Sequence, residues 1–211
     1  MIMIDKYYSV TGECVTQKII EKSKFITTSR HVESEEQARE FITEISKKYS
    51  DATHNCHAYI PDITGNFPRF SDDGEPQGTA GLPILNVIKG KKLLETTVAV
   101  VRYFGGIKLG TGGLVRAYTK AAQDAVSEAG VSEYDLCAET QICAAYSETD
   151  ALMRFLSGCG VKVLTREFGE RAVLTVAVRD SEKDAFSASV QDMLCGKAEI
   201  RTLRTYFAPV N

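Results

Sequence analysis

Two short segments of this 211-residue chain hold most of the side chains that could do chemistry. One runs Ser71-Asp-Asp-Gly-Glu-Pro-Gln-Gly-Thr-Ala-Gly-Leu-Pro83. The other runs Val100-Val-Arg-Tyr-Phe-Gly-Gly-Ile-Lys-Leu-Gly-Thr-Gly-Gly-Leu-Val-Arg-Ala-Tyr-Thr-Lys120. Nine of the sixteen glycines lie between Gly74 and Gly113. Glycine loses more freedom on folding than any other residue, so this density marks backbone that takes positive φ or closely approaches another chain or a ligand. From Asn86 to Gln123, seven Lys and Arg side chains face Glu95 alone, a local charge of +6. A basic, glycine-rich surface is suited to an anionic partner.

The second segment predicts a strand, then the loop Gly105, Gly106, Ile107, Lys108, Leu109, Gly110, Thr111, Gly112, Gly113, then a helix. In that order of elements, free backbone N–H groups and the helix dipole favour an anion. Lys108 adds charge from the loop and Arg116 from the first helical turn, with Arg102 and Lys120 extending the surface. No nucleotide motif is present. Gly105-x-x-x-x-Gly110 is followed by Thr111 and Gly112 where a Walker A loop needs Lys and Ser or Thr, and the G-x-G-x-x-G order is missing, so no cofactor is expected. A tight strand-to-helix turn packed on the sheet accounts for the same residues without a ligand.

Asp72, Asp73 and Glu75 place three carboxylates within four residues, enough to hold Mg²⁺ or to act as acid and base. They also sit with Gly74 and Pro76 in ordinary turn chemistry. Either Asp73 or Glu75 could instead pair with Arg69, Arg102 or a loop N–H and order the glycine-rich segments. His54-Asn-Cys-His57 suggests a nucleophile–base pair or metal ligands. On a strand, however, His54 and Cys56 share one face and His57 points to the other, which excludes a local three-ligand site. His57, or His54, could still join Asp72 and Asp73 across space. Lys18, Lys22, Lys24 and Arg30 decorate the first hairpin, either as edge protection or as part of a basic face.

These residues need elements to carry them. Tyr8–Ile20 and Lys24–Val32 read as a hairpin turning at residues 21–23. Ser34 with Gln37 forms a capping box for a helix whose stripe is Ala38, Phe41, Ile42, Ile45 and Tyr49. Residues 53–60 read as a strand, 62–77 as a long loop, and 79–89 as a short helix with Pro83 in its first turn. Leu93–Phe104 is the strongest strand; Val98-Ala-Val-Val101 is apolar on both faces and so central. Leu114, Val115, Tyr118, Ala121, Ala122, Ala125 and Val126 define a helix ending at Gly130. Beyond it comes a repeat: strand 138–146, a helix capped by Ser147 and Asp150 and stopped by Gly158 or Gly160, strand 161–167; then strand 172–178, a helix capped by Ser181 and Asp184, strand 199–207. Two such units in tandem give the ferredoxin-like β-α-β-β-α-β arrangement. The domain boundary is expected near residues 132–136.

Composition sets the wider frame. The formal charge is −3, with residues 1–130 balanced and residues 131–211 carrying 9 basic against 12 acidic groups, which argues against an indiscriminate nucleic-acid coat protein. The first residues lack a signal-peptide apolar core, and no run reaches the roughly 18 apolar residues of a membrane span. Six cysteines without C-x-x-C or zinc-finger spacing read as reduced, mostly buried thiols of a cytoplasmic protein.

Ser23-Lys-Phe-Ile26, Thr53-His-Asn-Cys-His-Ala-Tyr59, residues 71–81 and residues 101–116 closely resemble the YigZ/IMPACT family, over about residues 8–130, and residues 136–211 resemble the appended domain of its bacterial members. The resemblance implies an α+β protein of two domains. Residues 1–134 would be an IMPACT-type two-layer domain like the second domain of a small-subunit ribosomal protein. Residues 135–211 would be a ferredoxin-like domain similar to those of elongation factor G. Eukaryotic IMPACT proteins restrain a stress kinase of translation initiation using a further N-terminal recognition domain. This chain opens directly on the shared domain, so the kinase role is not expected to carry over. For bacterial relatives the resemblance implies nucleic-acid or ribosome binding and brings no catalytic residues.

The expected function is therefore non-catalytic association with RNA or the translation machinery, modulating translation under stress. Contact would be through Arg102, Lys108, Arg116, Lys120 and the Gly105–Gly113 backbone, with Asp72, Asp73, Glu75 and His57 ordering the loop beside it. Neutralising about four to six phosphates would make binding steeply salt-dependent. A metal-assisted hydrolase or phosphoryl-transfer enzyme built on the acidic loop, and a protein adaptor using the C-terminal sheet, are the alternatives. No membrane partner is expected.

Overall fold

The structure is a computed structural model and describes residues 4–209. The protein is α+β and divides into two compact units, residues 7–133 and residues 4–6 with 134–209. In chain order the elements of the first part are β1 (Lys6–Val10), β2 (Cys14–Ile20), β3 (Ser23–His31), α1 (Glu35–Lys48), β4 (His54–Ile60), β5 (Arg69–Ser71), α2 (Gly81–Gly90), β6 (Thr96–Tyr103) and α3 (Gly110–Ala129).

The sheet of this unit has the order β2-β3-β6-β4-β5, antiparallel throughout. Strand β6 is central because both its faces are apolar. The period of two sends Val98 and Val100 to one side, where they pack with Phe25, Cys56, Ile84 and Ile88 of α2 and Tyr118, Ala122 and Val126 of α3. Ala99 and Val101 face the other side and meet Phe41 and Ile45 of α1. Helix α1 starts where the capping pattern puts it: Gln37 N donates to Ser34 Oγ (3.2 Å), and Gln37 Oε1 accepts from Glu33 N (2.8 Å).

The hairpin between β2 and β3 closes through Glu21 and Lys22 alone, both at positive φ (45° and 64°), the turn type whose twist matches antiparallel strands. Two local expectations are revised. The loop at 62–77 contains strand β5, which pairs with β4 and was not visible as a hydrophobic pattern because only three residues long. Helix α3 begins at Gly110, so Thr111, Gly112 and Gly113 form its first turn rather than loop. Gly110, Thr111, Gly112 and Gly113 carry no apolar pattern, so the helical period first shows at Leu114, which packs in the core.

The second unit contains β7 (Val131–Ala144), α4 (Thr149–Cys159), β8 (Lys162–Phe168), β9 (Ala172–Arg179), α5 (Lys183–Met193) and β10 (Glu199–Pro209). Its strands take the order β8-β9-β7-β10, each pair antiparallel, which is the ferredoxin-like topology. Ile142, Leu174 and Val176 pack against Leu152, Leu156, Phe186 and Val190. The expected Ser147 and Ser181 caps are absent: a single 3₁₀ turn leads into each helix, and neither helix has a side-chain cap. The division between the units falls between Glu133 and Tyr134, within β7. The six cysteines are free, but only Cys56 and Cys137 are buried; Cys159 and Cys195 are exposed, a correction to the mostly buried reading. Among the described residues no helix is long and apolar enough to cross a membrane.

Candidate functional site

The segment from Ser71 to Gly81 is organised around one carboxylate. Asp72 Oδ2 accepts from Gly78 N (2.8 Å), and Asp72 Oδ1 accepts from Ala80 N (3.0 Å) and Gly81 N (2.8 Å). These last two amides open α2, so Asp72 satisfies N–H groups that a helix start otherwise leaves unpaired. Glu75 N donates to Asp72 O (2.9 Å) across Asp73 and Gly74, both at positive φ, in a tight turn for which Asp-Gly is well suited. Asp73 Oδ2 accepts from Asn55 N (2.6 Å), tying the turn to β4.

That turn delivers Glu75 into the interior, where it is 8% exposed. Its Oε1 accepts from Arg102 Nη1 (2.6 Å) of β6 and from the Tyr118 hydroxyl (2.8 Å) of α3. Arg102 is 4% exposed, donates from Nη2 to Ser23 Oγ (3.1 Å), and lies 5.6 Å from the ring centres of both Phe25 and Phe104. Arg102 is therefore no part of an anion-facing surface. Its charge is neutralised internally, and its work is to join the acidic turn, the central strand and α3. Burial, with Cys56 and Glu75 close by, drives the Tyr118 phenol far above its ordinary range, so it stays a hydrogen-bond donor.

Cys56 lies beside this network: its S–H donates to Asp72 O (3.0 Å), and Sγ is 3.4 Å from the Tyr118 oxygen. Burial pushes the thiol up to about 12, which removes it as a nucleophile at neutral pH. The histidine on this side of the sheet is His54, with Nδ1 2.8 Å from Asp73 O and Nε2 3.8 Å from Glu75 Oε2. His57, expected among the loop-ordering acids, belongs to the opposite face. It stacks near-parallel to Tyr59 (6.3 Å), and burial lowers its pKa. Strand alternation separates it from Glu75. Among the described residues, no three His, Cys, Asp or Glu side chains are placed to hold a metal ion.

The glycine-rich segment passes directly over the β2–β3 turn. A side chain on Gly105 would collide with the Lys22 carbonyl group, so this glycine is demanded by close backbone approach. Gly105 N donates to Ser23 Oγ (3.3 Å), the oxygen that Arg102 also uses. Gly106, Gly110, Thr111 and Gly112 are exposed, and Gly113 is half-buried against Leu109. Neither α2 nor α3 has an N-cap side chain or an acidic residue in its first turn, but the first amides of α2 are taken up by Asp72 from the preceding loop.

The remaining cations divide. Lys120 is bound to Asp124 (2.7 Å), which also holds Lys18. Arg30 is paired with Glu13 and Glu44, and Lys24 sits 4.3 Å over the Tyr103 ring. Lys108 and Arg116 are exposed and have no ion-pair partner among the described residues. They line a groove of about 410 Å³ together with Ile20, Glu21, Ile107 and Leu109. Glu21 lines this groove, and Ser23 and Tyr118 belong to the buried network; the sequence places them in a turn and on a helix stripe without marking a role for them. Tyr118 had a readable signal, since a phenol on an alanine-rich buried stripe must find a partner for its hydroxyl.

Residues 21–126 match the Impact N-terminal domain and residues 143–197 match a domain of unknown function, DUF1949. The chain is 36% identical over 199 residues to the IMPACT family member YvyE of Bacillus subtilis, covering 94% of this chain and 92% of that protein. It is 34% identical over 184 residues to YigZ of Escherichia coli, covering 86% and 90%. A solved structure described as that of a hypothetical protein superposes with a TM-score of 0.63 at 30% identity, covering 96% of this chain and 99% of that one.

Proposed function

Since this chain belongs to the IMPACT family, we propose that it is a non-catalytic cytoplasmic protein that binds RNA of the translation apparatus through the Lys108–Arg116 groove. One observation carries the reading: two cations without carboxylate partners flank a concavity beside the uncapped start of α3. Exposed guanidinium and ammonium groups beside open amides suit phosphate oxygens. The proposed surface is smaller than composition suggested, because Arg102 is consumed by Glu75 and Lys120 by Asp124.

The acidic loop supports this reading over a hydrolytic one. Asp72 is occupied by three amides and Glu75 by Arg102 and Tyr118, while His57 faces away. Carboxylates that accept three backbone amides (Asp72) or a buried guanidinium and a phenol (Glu75) serve first to hold the fold together. Fluorescence anisotropy of labelled RNA against wild type and Lys108→Glu/Arg116→Glu tests the proposal, with thermal melting as the control for folding. Binding is expected to vanish in the double variant. Unchanged affinity across salt concentrations in a folded double variant would sink it.

A further inference from the structure

We infer that the groove takes a single unstacked guanine nucleotide of single-stranded RNA, the two phosphates flanking it on Lys108 and Arg116 and its base over Ile20, Ile107 and Leu109. The inference rests on the RNA-binding reading and specifies what form of RNA fits.

Three features of the groove go beyond phosphate contact. First, it is concave and small: about 410 Å³, near the lower end of the roughly 300–1,000 Å³ range of small-molecule sites. A duplex offers phosphate ridges with its bases stacked away, and could touch the two cations without entering. A single strand can present phosphate and base together. Second, the floor is apolar. Ile107 is 38% exposed beside the half-buried Leu109 and Ile20, so a base face covering them removes hydrocarbon from water.

Third, Glu21 lines the same groove. It sits on a two-residue turn at positive φ, which fixes its backbone, and it has no ion-pair partner among the described residues. A carboxylate there repels phosphate, so phosphate binding alone leaves it unexplained. Two carboxylate oxygens match the adjacent N1–H and N2–H donors of guanine. Adenine and uracil each offer a single donor group on that edge beside unprotonated acceptors, so neither satisfies both carboxylate oxygens as guanine does.

The test uses the full chain and short single-stranded oligoribonucleotides carrying one guanine or one adenine in a uridine background, with a duplex as comparison. Guanine is expected to bind roughly tenfold more tightly than adenine, the discrimination of one good bidentate pair. Glu21→Gln should erase that difference, and Ile107→Ala should weaken single-strand binding while leaving duplex binding alone. If duplex binds as tightly as single strand, and both are lost in Lys108→Glu/Arg116→Glu, the nucleotide assignment falls and the RNA reading stands. Preference for single strands with no base discrimination overturns the guanine assignment. No binding to any RNA by a protein shown folded by circular dichroism overturns both.

Discussion

Arg102 Nη1 lies 2.6 Å from Glu75 Oε1, with both side chains almost wholly buried, and this one ion pair fastens the two glycine-rich segments to each other. The partners are 27 residues apart in the chain. The acidic turn contributes Glu75, and the strand that feeds the glycine loop contributes Arg102. Tyr118, in the helix that leaves the loop, shares the same carboxylate oxygen. A buried polar clasp thus joins the strand before the glycine loop to the helix that carries Arg116.

Removing one member of the clasp leaves a buried charge without a partner. Glu75→Ala is expected to destabilise the protein by about 3–5 kcal/mol, as for other broken buried pairs. Urea unfolding followed by circular dichroism measures it. The double variant Glu75→Met/Arg102→Met should lose distinctly less than Glu75→Ala. Equal losses would mean that the charge pairing does not set the cost.

Gly105 and Gly112 should respond in opposite directions. Gly105→Ala pushes a methyl into the Lys22 carbonyl group and should cost at least about 1–3 kcal/mol, the range for overpacking. Gly112 lies in the first turn of α3, where an added methyl meets only ordinary contacts, the nearest to Arg116 at 3.6 Å. Gly112→Ala should therefore be neutral or stabilise by up to about 1 kcal/mol. Denaturation midpoints of the two variants check both.

With Arg102 and Lys120 engaged elsewhere, RNA binding should be only gently salt-dependent. Two phosphate contacts at about 0.7 each give a slope of log K against log salt near −1.4 for a single strand. Lys120→Ala should leave that slope unchanged, and Lys108→Ala should reduce it by about half. Titrations at several salt concentrations supply the slopes.

His57 makes stability pH-dependent with a definite sign. Burial lowers its pKa in the folded state, so the unfolded chain binds the proton more readily. The contribution is complete above the unfolded value near ~6.5 and is lost as pH falls through the depressed folded value. His57→Gln should flatten the acid side of the stability profile, read as Tm against pH between neutral and mildly acidic buffers.

Cys56 should resist alkylation in the native protein, because its thiol is buried and its pKa is pushed up to about 12. Exposed Cys159 and Cys195 should react first with iodoacetamide. Peptide mapping after brief labelling, with and without denaturant, distinguishes the sites.

Short-range rules made much of the fold legible in the sequence. The two-sided apolar run at Val98–Val101 placed β6 at the centre, Ser34 and Gln37 marked the start of α1, and the repeated strand–helix–strand pattern after residue 131 announced the ferredoxin-like sheet. Each signal is written within a few residues, because strand alternation and helix capping act over that distance. The three-residue β5 and the uncapped starts of α4 and α5 escaped it, since packing on neighbours supplied what local pattern did not.

The side chains around the groove show the limit. In sequence Arg102 and Lys108 are equivalent, two cations flanking a glycine pair. Only the tertiary structure sends one inward to Glu75 and leaves the other in solvent. His54 and His57 likewise look alike until the strand's alternation is set against a particular helix layer. Residue types and local periodicity determined which elements form and where charge accumulates. Long-range topology decided which charges cancel, because electrostatic pairing depends on distance in space, and chain separation does not specify it.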